Sequence, residues 1–189
     1  MSEVERIKDQ LHRSFYGNSW HGPAVMEVLK GIDGEQAAHK PLDNVHSIWE
    51  ITQHISAWEE VVLKRLQGDR TPVTASIGWN PVNKTSDAAW QRMQELLENR
   101  HIELELAVEK LTDGQLDEQT IGDVTIYRLL HGIAQHDLFH SGQIAILKKC
   151  TAAEEKPVAE EEVKDEEKPP KEEKPPSEGE PSGGESASG

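Results

Sequence analysis

The stretch HGIAQHDLFHSGQIAILKK, residues 131–149, runs nineteen positions without a proline and reads as one amphipathic helix, spanning about Ile126 to Lys149. An α-helix advances about 100° per residue, so His136 and His140 stand only about 40° apart on one face. Leu129, Ile133, Gln143 and Leu147 share that face, which makes it the inward stripe rather than the solvated side. His131 points well away from the pair. The two imidazoles can therefore share one ligand.

Working outward, three more segments show helical spacing. SEVERIKDQLHRSFYG carries Val4, Ile7, Leu11 and Phe15 behind the capping residue Ser2, and PAVMEVLKGI resumes the pattern, as one kinked helix or as two. DGEQAAHKPLDNVH supplies turn residues. Ser47 and Glu50 then form a capping box that opens a second long helix, SIWEITQHISAWEEVVLKRLQGD. RTPVTASIGWNPVNKT, with two prolines and no period, is a long connection, and such connections often serve function. Ser86 starts a third long helix carrying Ala89, Met93, Leu96, Leu97, Ile102, Leu104 and Val108. DEQTIGDVTI places β-branched residues around a Gly-Asp turn before the last helix. Four long stripes and no extended strand alternation give an all-α expectation, an antiparallel four-helix bundle.

The end of the chain is different. From Glu154 onward it holds thirteen acidic residues, five lysines and six of the ten prolines, with no aromatic residue, leucine or isoleucine. Such a segment buries too little apolar surface to offset its chain entropy. Residues 151–189 are accordingly expected to be a disordered Glu/Lys/Pro/Gly/Ser-rich tail, and residues 1–150 the helical domain. The tail takes −8 of the net charge of −15 and leaves −7 on a domain that holds all five tryptophans. No basic patch offsets that excess, so nucleic acid is not an expected partner. The single cysteine, Cys150, excludes an intramolecular disulfide framework and is read as an inert surface thiol. No apolar run approaches a membrane span, and MSEVERIKDQ is too charged for a secretory segment, so no membrane association and a cytoplasmic location are the expectations.

A third inward imidazole comes from the second long helix, where His54 is flanked at helical spacing by Ile51, Trp58 and Val61. A histidine pair one turn apart plus one from a facing helix gives three neutral nitrogen ligands, with a coordination position left for water or substrate. The spacing is equally compatible with three core-edge histidines bonded to their neighbours, although each buried ring brings two polar nitrogens that need partners. His12, His39, His46 and His101 lie in polar stretches and read as surface residues, and His21 sits in a helix break where a pocket mouth could form. Glu59 and Glu60 read as a solvated face, Asp137 as pointing away from its neighbour His136, and Trp49, Trp58 and Trp90 as core. There is no Gly-rich phosphate loop and no G-x-S-x-G elbow.

SIWEITQHISAWEEVVLKRL, followed about eighty residues later by LLHGIAQHDLFHSGQIAILKK, resembles the DinB-like superfamily. That group includes damage-inducible DinB proteins of bacilli, YfiT-type metal-dependent hydrolases and metal-dependent thiol S-transferases. The resemblance covers roughly Ile7 to Lys149 and is most specific in the last helix, where H-x-x-x-H-x-G-Q-I is matched by His136, His140 and SGQI. It implies that His136, His140 and His54 are metal ligands. It also implies an up-down-down-up bundle, often a homodimer, that binds a divalent ion such as nickel or zinc. Related members transfer a low-molecular-weight thiol (bacillithiol, mycothiol or glutathione) to electrophiles, or isomerise maleylpyruvate. Many members have no assigned reaction, and membership does not select among these activities. If this chain is an enzyme, a metal-dependent thiol S-transferase is the expectation, and Gln143, one turn beyond His140, is placed to bond behind the ion or to the bound thiol. The competing reading is a non-catalytic, metal-binding or stress-related dimeric protein, whose acidic tail either contacts a basic partner or only aids solubility.

Overall fold

A computed structural model describes residues 1–154, so the expectation of a disordered tail lies outside the described residues. The chain is mostly helical. In order come α1 (Glu3–Tyr16), α2 (Val25–Leu29), α3 (Gly34–Ala38), α4 (Ile48–Leu66), α5 (Asp87–Glu109), a 3-10 turn (Asp113–Gln115), the strands β1 (Gln119–Ile121) and β2 (Val124–Thr125), and α6 (Ile126–Glu154). Among the described residues no helix is long and apolar enough to cross a membrane.

The helix starts follow the side-chain chemistry read above. Ser2 Oγ accepts from Glu5 N–H at 3.1 Å while Glu5 Oε2 accepts from Ser2 N–H at 2.7 Å, which satisfies two of the free donors at the start of α1. Asp113, from the far 3-10 turn, accepts from the N–H groups of Glu3 and Val4 at 3.1 and 3.0 Å and ties that turn to α1. Ser47 and Glu50 form the corresponding box on α4, at 3.2 and 3.0 Å. Gly17, at φ 137°, ends α1 in a conformation that side chains rarely adopt, so the first two helical segments are separate helices.

The small elements escaped periodicity. In DGEQAAHKPLDNVH, read as turn, α3 forms over five residues because Asp33 Oδ1 accepts from Gln36 N–H at 2.8 Å. The segment is too short to display a stripe. The residues around Gly122 pair as a two-stranded antiparallel hairpin, and α6 runs on to Glu154, past the expected boundary at residue 150.

The four long helices pack so that α1 and α4 each contact both α5 and α6. Their stripes build two apolar clusters. One contains Phe15, Ile55, Trp90, Leu97 and Ile144; the other contains Leu11, Val62, Leu104, Leu130 and Ile133. On α5 the buried stripe is Trp90, Leu97, His101, Leu104 and Val108, whereas Leu96 and Ile102, read as stripe residues, are exposed. Cys150 is half-buried rather than a surface thiol.

Candidate metal centre

His54 on α4 and His136 and His140 on α6 converge. His136 Nε2 lies 3.2 Å from His54 Nε2 and 3.1 Å from His140 Nε2. His54 and His140 are buried and His136 is half-buried. The outer nitrogens orient the rings. The carbonyl oxygen of Ile77 accepts at 2.8 Å from Nδ1–H of His54, and Gln143 Oε1 accepts at 2.7 Å from Nδ1–H of His140. Donation from Nδ1 leaves the Nε2 lone pairs of both rings facing His136. Lone pairs held this close repel one another unless a proton or a cation stands between them. An ion with metal–nitrogen bonds of about 2.0–2.1 Å and tetrahedral angles separates its ligands by roughly 3.3–3.4 Å, close to the spacing found. These three residues could hold a divalent ion.

Burial pushes all three imidazoles down to about 4, because desolvation disfavours their charged form. They are therefore neutral ligands at pH 7. In the unfolded chain histidine protonates near pH 6.5, so between about 6.5 and 4 the unfolded state binds more protons than the native state. Stability from these groups in metal-free protein is thus full above about pH 6.5 and is lost as pH falls toward 4. Thermal melts in chelator from pH 4.5 to 7.5 should show a steeper acid-side fall in Tm for wild type than for His54→Gln/His136→Gln/His140→Gln. Parallel curves for the two proteins would show that the histidines do not cause the fall.

The connection over residues 67–86 completes one wall. Trp79 stacks on His54, with ring centroids 3.9 Å apart and an interplanar angle of 14°, and His46 stacks on the other face of Trp79 at 3.7 Å. Gly78 makes this approach possible: at φ +76°, a Cβ on it would stand 2.6 Å from His54 Cα and 2.9 Å from Ala57 Cβ. Gly78→Ala should cost about 1–3 kcal/mol in chemical denaturation and weaken metal binding, since Ile77 and Trp79 would move off His54. An unchanged denaturation midpoint would contradict this role for Gly78.

Beside His140 and Gln143 a cavity of about 450 Å³ opens, lined also by Leu42, Val45, His46, Ile51, Trp79, Phe139, Ile146 and Leu147. Phe139 and Ile146, at its rim, are 64% and 62% exposed. Trp79 and this cavity were not legible in the sequence. The proline-bearing connection signalled a functional loop but not which residue it turns inward. Trp58, read as core, is partly buried and also edges the site, 5.9 Å from the His136 ring. His46 is exposed as expected yet lines the cavity, while His21 lines a different groove with Trp20 and His131.

Two surface readings are overturned, and the same burial holds for Asp137. Glu59, His101 and Asp137 are each 0% exposed and lie together within the helical core. Glu59 Oε1 accepts from His101 Nδ1–H at 2.6 Å, and the His101 ring stacks on Phe15 with centroids 3.8 Å apart. Burial raises Glu59 and Asp137 to about 8. Burial opposes the imidazolium of His101, but the carboxylates of Glu105 and Glu59 outweigh it and raise His101 to about 9. Each member stands at a core position of its helix, which periodicity could have revealed: His101 lies between Leu97 and Leu104 of the α5 stripe. Asp137 does point away from the three histidines into this cluster, touching His136 only at 3.5 Å. Glu60, by contrast, is on the solvated side, paired with Lys64 at 2.7 Å and with Arg100.

Fold and site together define a mostly helical protein whose three inward imidazoles could share an ion. The sequence model of the DinB superfamily matches residues 19–144, a span that includes His54, His136 and His140, and the chain belongs to that superfamily. No curated protein and no solved structure matches it.

Proposed function

We propose that the protein is a metal-dependent thiol S-transferase in which His54, His136 and His140 hold a divalent ion, nickel or zinc as the family resemblance implies, since imidazole donors suit zinc, nickel, copper and iron alike. The observation that carries this reading is the pairing of three convergent Nε2 atoms with an apolar cavity that reaches His140. A divalent ion there would supply Lewis acidity that favours the thiolate of a cofactor thiol at neutral pH. The chain's own part is orientation and exclusion of water. Ile77 and Gln143 fix the ring tautomers, Trp79 covers His54, and the cavity is large enough for an uncharged, partly aromatic electrophile. In the transfer, the thiolate sulfur bonds to the electrophilic carbon as chloride leaves or an epoxide C–O bond opens, and the thiol proton goes to solvent or to the epoxide oxygen.

The long helices are proposed to form an antiparallel, up-down-down-up four-helix bundle, supported by the contacts of α1 and α4 with both α5 and α6. The protein is also proposed to act in the cytoplasm as a homodimer, with a small-molecule thiol and an electrophile as partners. The deciding experiment incubates nickel- or zinc-loaded protein with bacillithiol, mycothiol or glutathione and a chlorinated or epoxide probe. Thiol-dependent loss of the probe, abolished by chelation, supports the transferase. Retention of the ion without turnover of any pair favours the non-catalytic metal-binding alternative.

Gln143 acts on the ion through His140. Gln143→Ala should weaken metal affinity by about 10-fold, the lower range for residues that orient a ligand ring. Unchanged affinity and turnover on isothermal titration and kinetic assay would reduce Gln143 to a packing residue.

A further inference from the structure

We propose that Glu59, His101 and Asp137 form a second divalent-cation site, separate from the three histidines and buried between α4, α5 and α6. One ligand atom from each of the three residues lies within 4.8 Å of the other two. All three side chains are completely buried. Along the helices the cluster is a polar layer between apolar ones: Glu59 between Ile55 and Val62, His101 between Leu97 and Leu104, and Asp137 between Ile133 and Ile144. A bundle core offers such a position to inward carboxylates and imidazoles that share an ion.

The hydrogen-bond inventory is what asks for a ligand. Glu59 Oε1 and His101 Nδ1 are paired, but among the described residues Glu59 Oε2 and Asp137 Oδ2 have no hydrogen-bond partner, and His101 Nε2 has only the carboxylate of Glu105 at 3.5 Å. Buried polar atoms are nearly always satisfied, and two orphan carboxyl oxygens in one cluster are costly. One divalent ion neutralises two carboxylates and bonds to atoms that otherwise lack partners. The donor set of two carboxylates and one imidazole suits harder ions such as manganese or iron better than the all-nitrogen centre nearby does. His101 Nε2 faces Glu105 Oε1 at 3.5 Å, outside hydrogen-bond geometry, and Glu105 in turn reaches the exposed His12 at 3.0 Å.

The test soaks crystals of the metal-free, full-length protein in manganese chloride and collects anomalous data. It also counts bound Mn²⁺ by electron paramagnetic resonance in solution. The expected result is an anomalous peak coordinated by Glu59, His101 and Asp137. One tight Mn²⁺ should persist in His136→Ala/His140→Ala, and its affinity should fall at least 100-fold when Glu59→Gln and Asp137→Asn are added, shape-conserving changes whose folding circular dichroism checks. The wild-type crystal decides even if that variant fails to fold. A peak at the histidines alone, or a feature within the cluster that refines as water, would overturn the second site and leave the histidine centre standing. Loss of the histidine ion with retention of this one would do the reverse.

Discussion

His136→Ala/His140→Ala should abolish ion binding at the histidine centre. With two of the three Nε2 donors gone, His54 keeps a single nitrogen, and one imidazole does not hold a divalent ion against solvent. Metal analysis of untagged protein loaded with nickel or zinc should find that ion at the histidine centre of wild type and less than a tenth of it in the double variant. Folding should survive, because alanine suits a helix interior and removing the buried His140 ring and the half-buried His136 ring also removes nitrogens that need partners. Equal content in both proteins, with anomalous scattering still at His54, would show that the three imidazoles are only packed together.

The second large effect is on stability. His101→Ala in the metal-free protein removes a fully buried ring that pairs with Glu59 at 2.6 Å and stacks on Phe15. It leaves the carboxyls of Glu59 and Asp137 buried without that partner and opens a cavity, a combination worth about 3–5 kcal/mol. Against a domain stability of about 5–15 kcal/mol that is a large fraction, and the denaturation midpoint should fall with an unchanged slope. Adding Glu59→Gln to His101→Ala should cost less than the two single losses combined, because the Glu59–His101 bond is lost in each single variant and only once in the double. A loss below about 1 kcal/mol for His101→Ala would mean that Glu59 and Asp137 are as well accommodated alone as with the imidazole.

The sequence by itself determined the long helices, their caps and the triad. Ser2, Ser47 and Ser86 begin helices through contacts no more than three residues away, and the one-turn spacing of His136 and His140 is set by helix geometry. His54 joined them because an inward stripe can be read from spacing, and the H-x-x-x-H-x-G-Q-I pattern carried the family. Only the tertiary structure decided what surrounds the triad. Trp79 reaches His54 through a loop whose path depends on Gly78 passing close to α4, a long-range steric condition with no local signature. The buried Glu59, His101 and Asp137 were misjudged or set aside because charge usually means solvent, although each occupies an apolar position of its heptad. A charged residue at a core position is stable only if its partners arrive from other helices, and which residues meet across three helices is fixed by packing, not by the neighbours in the chain.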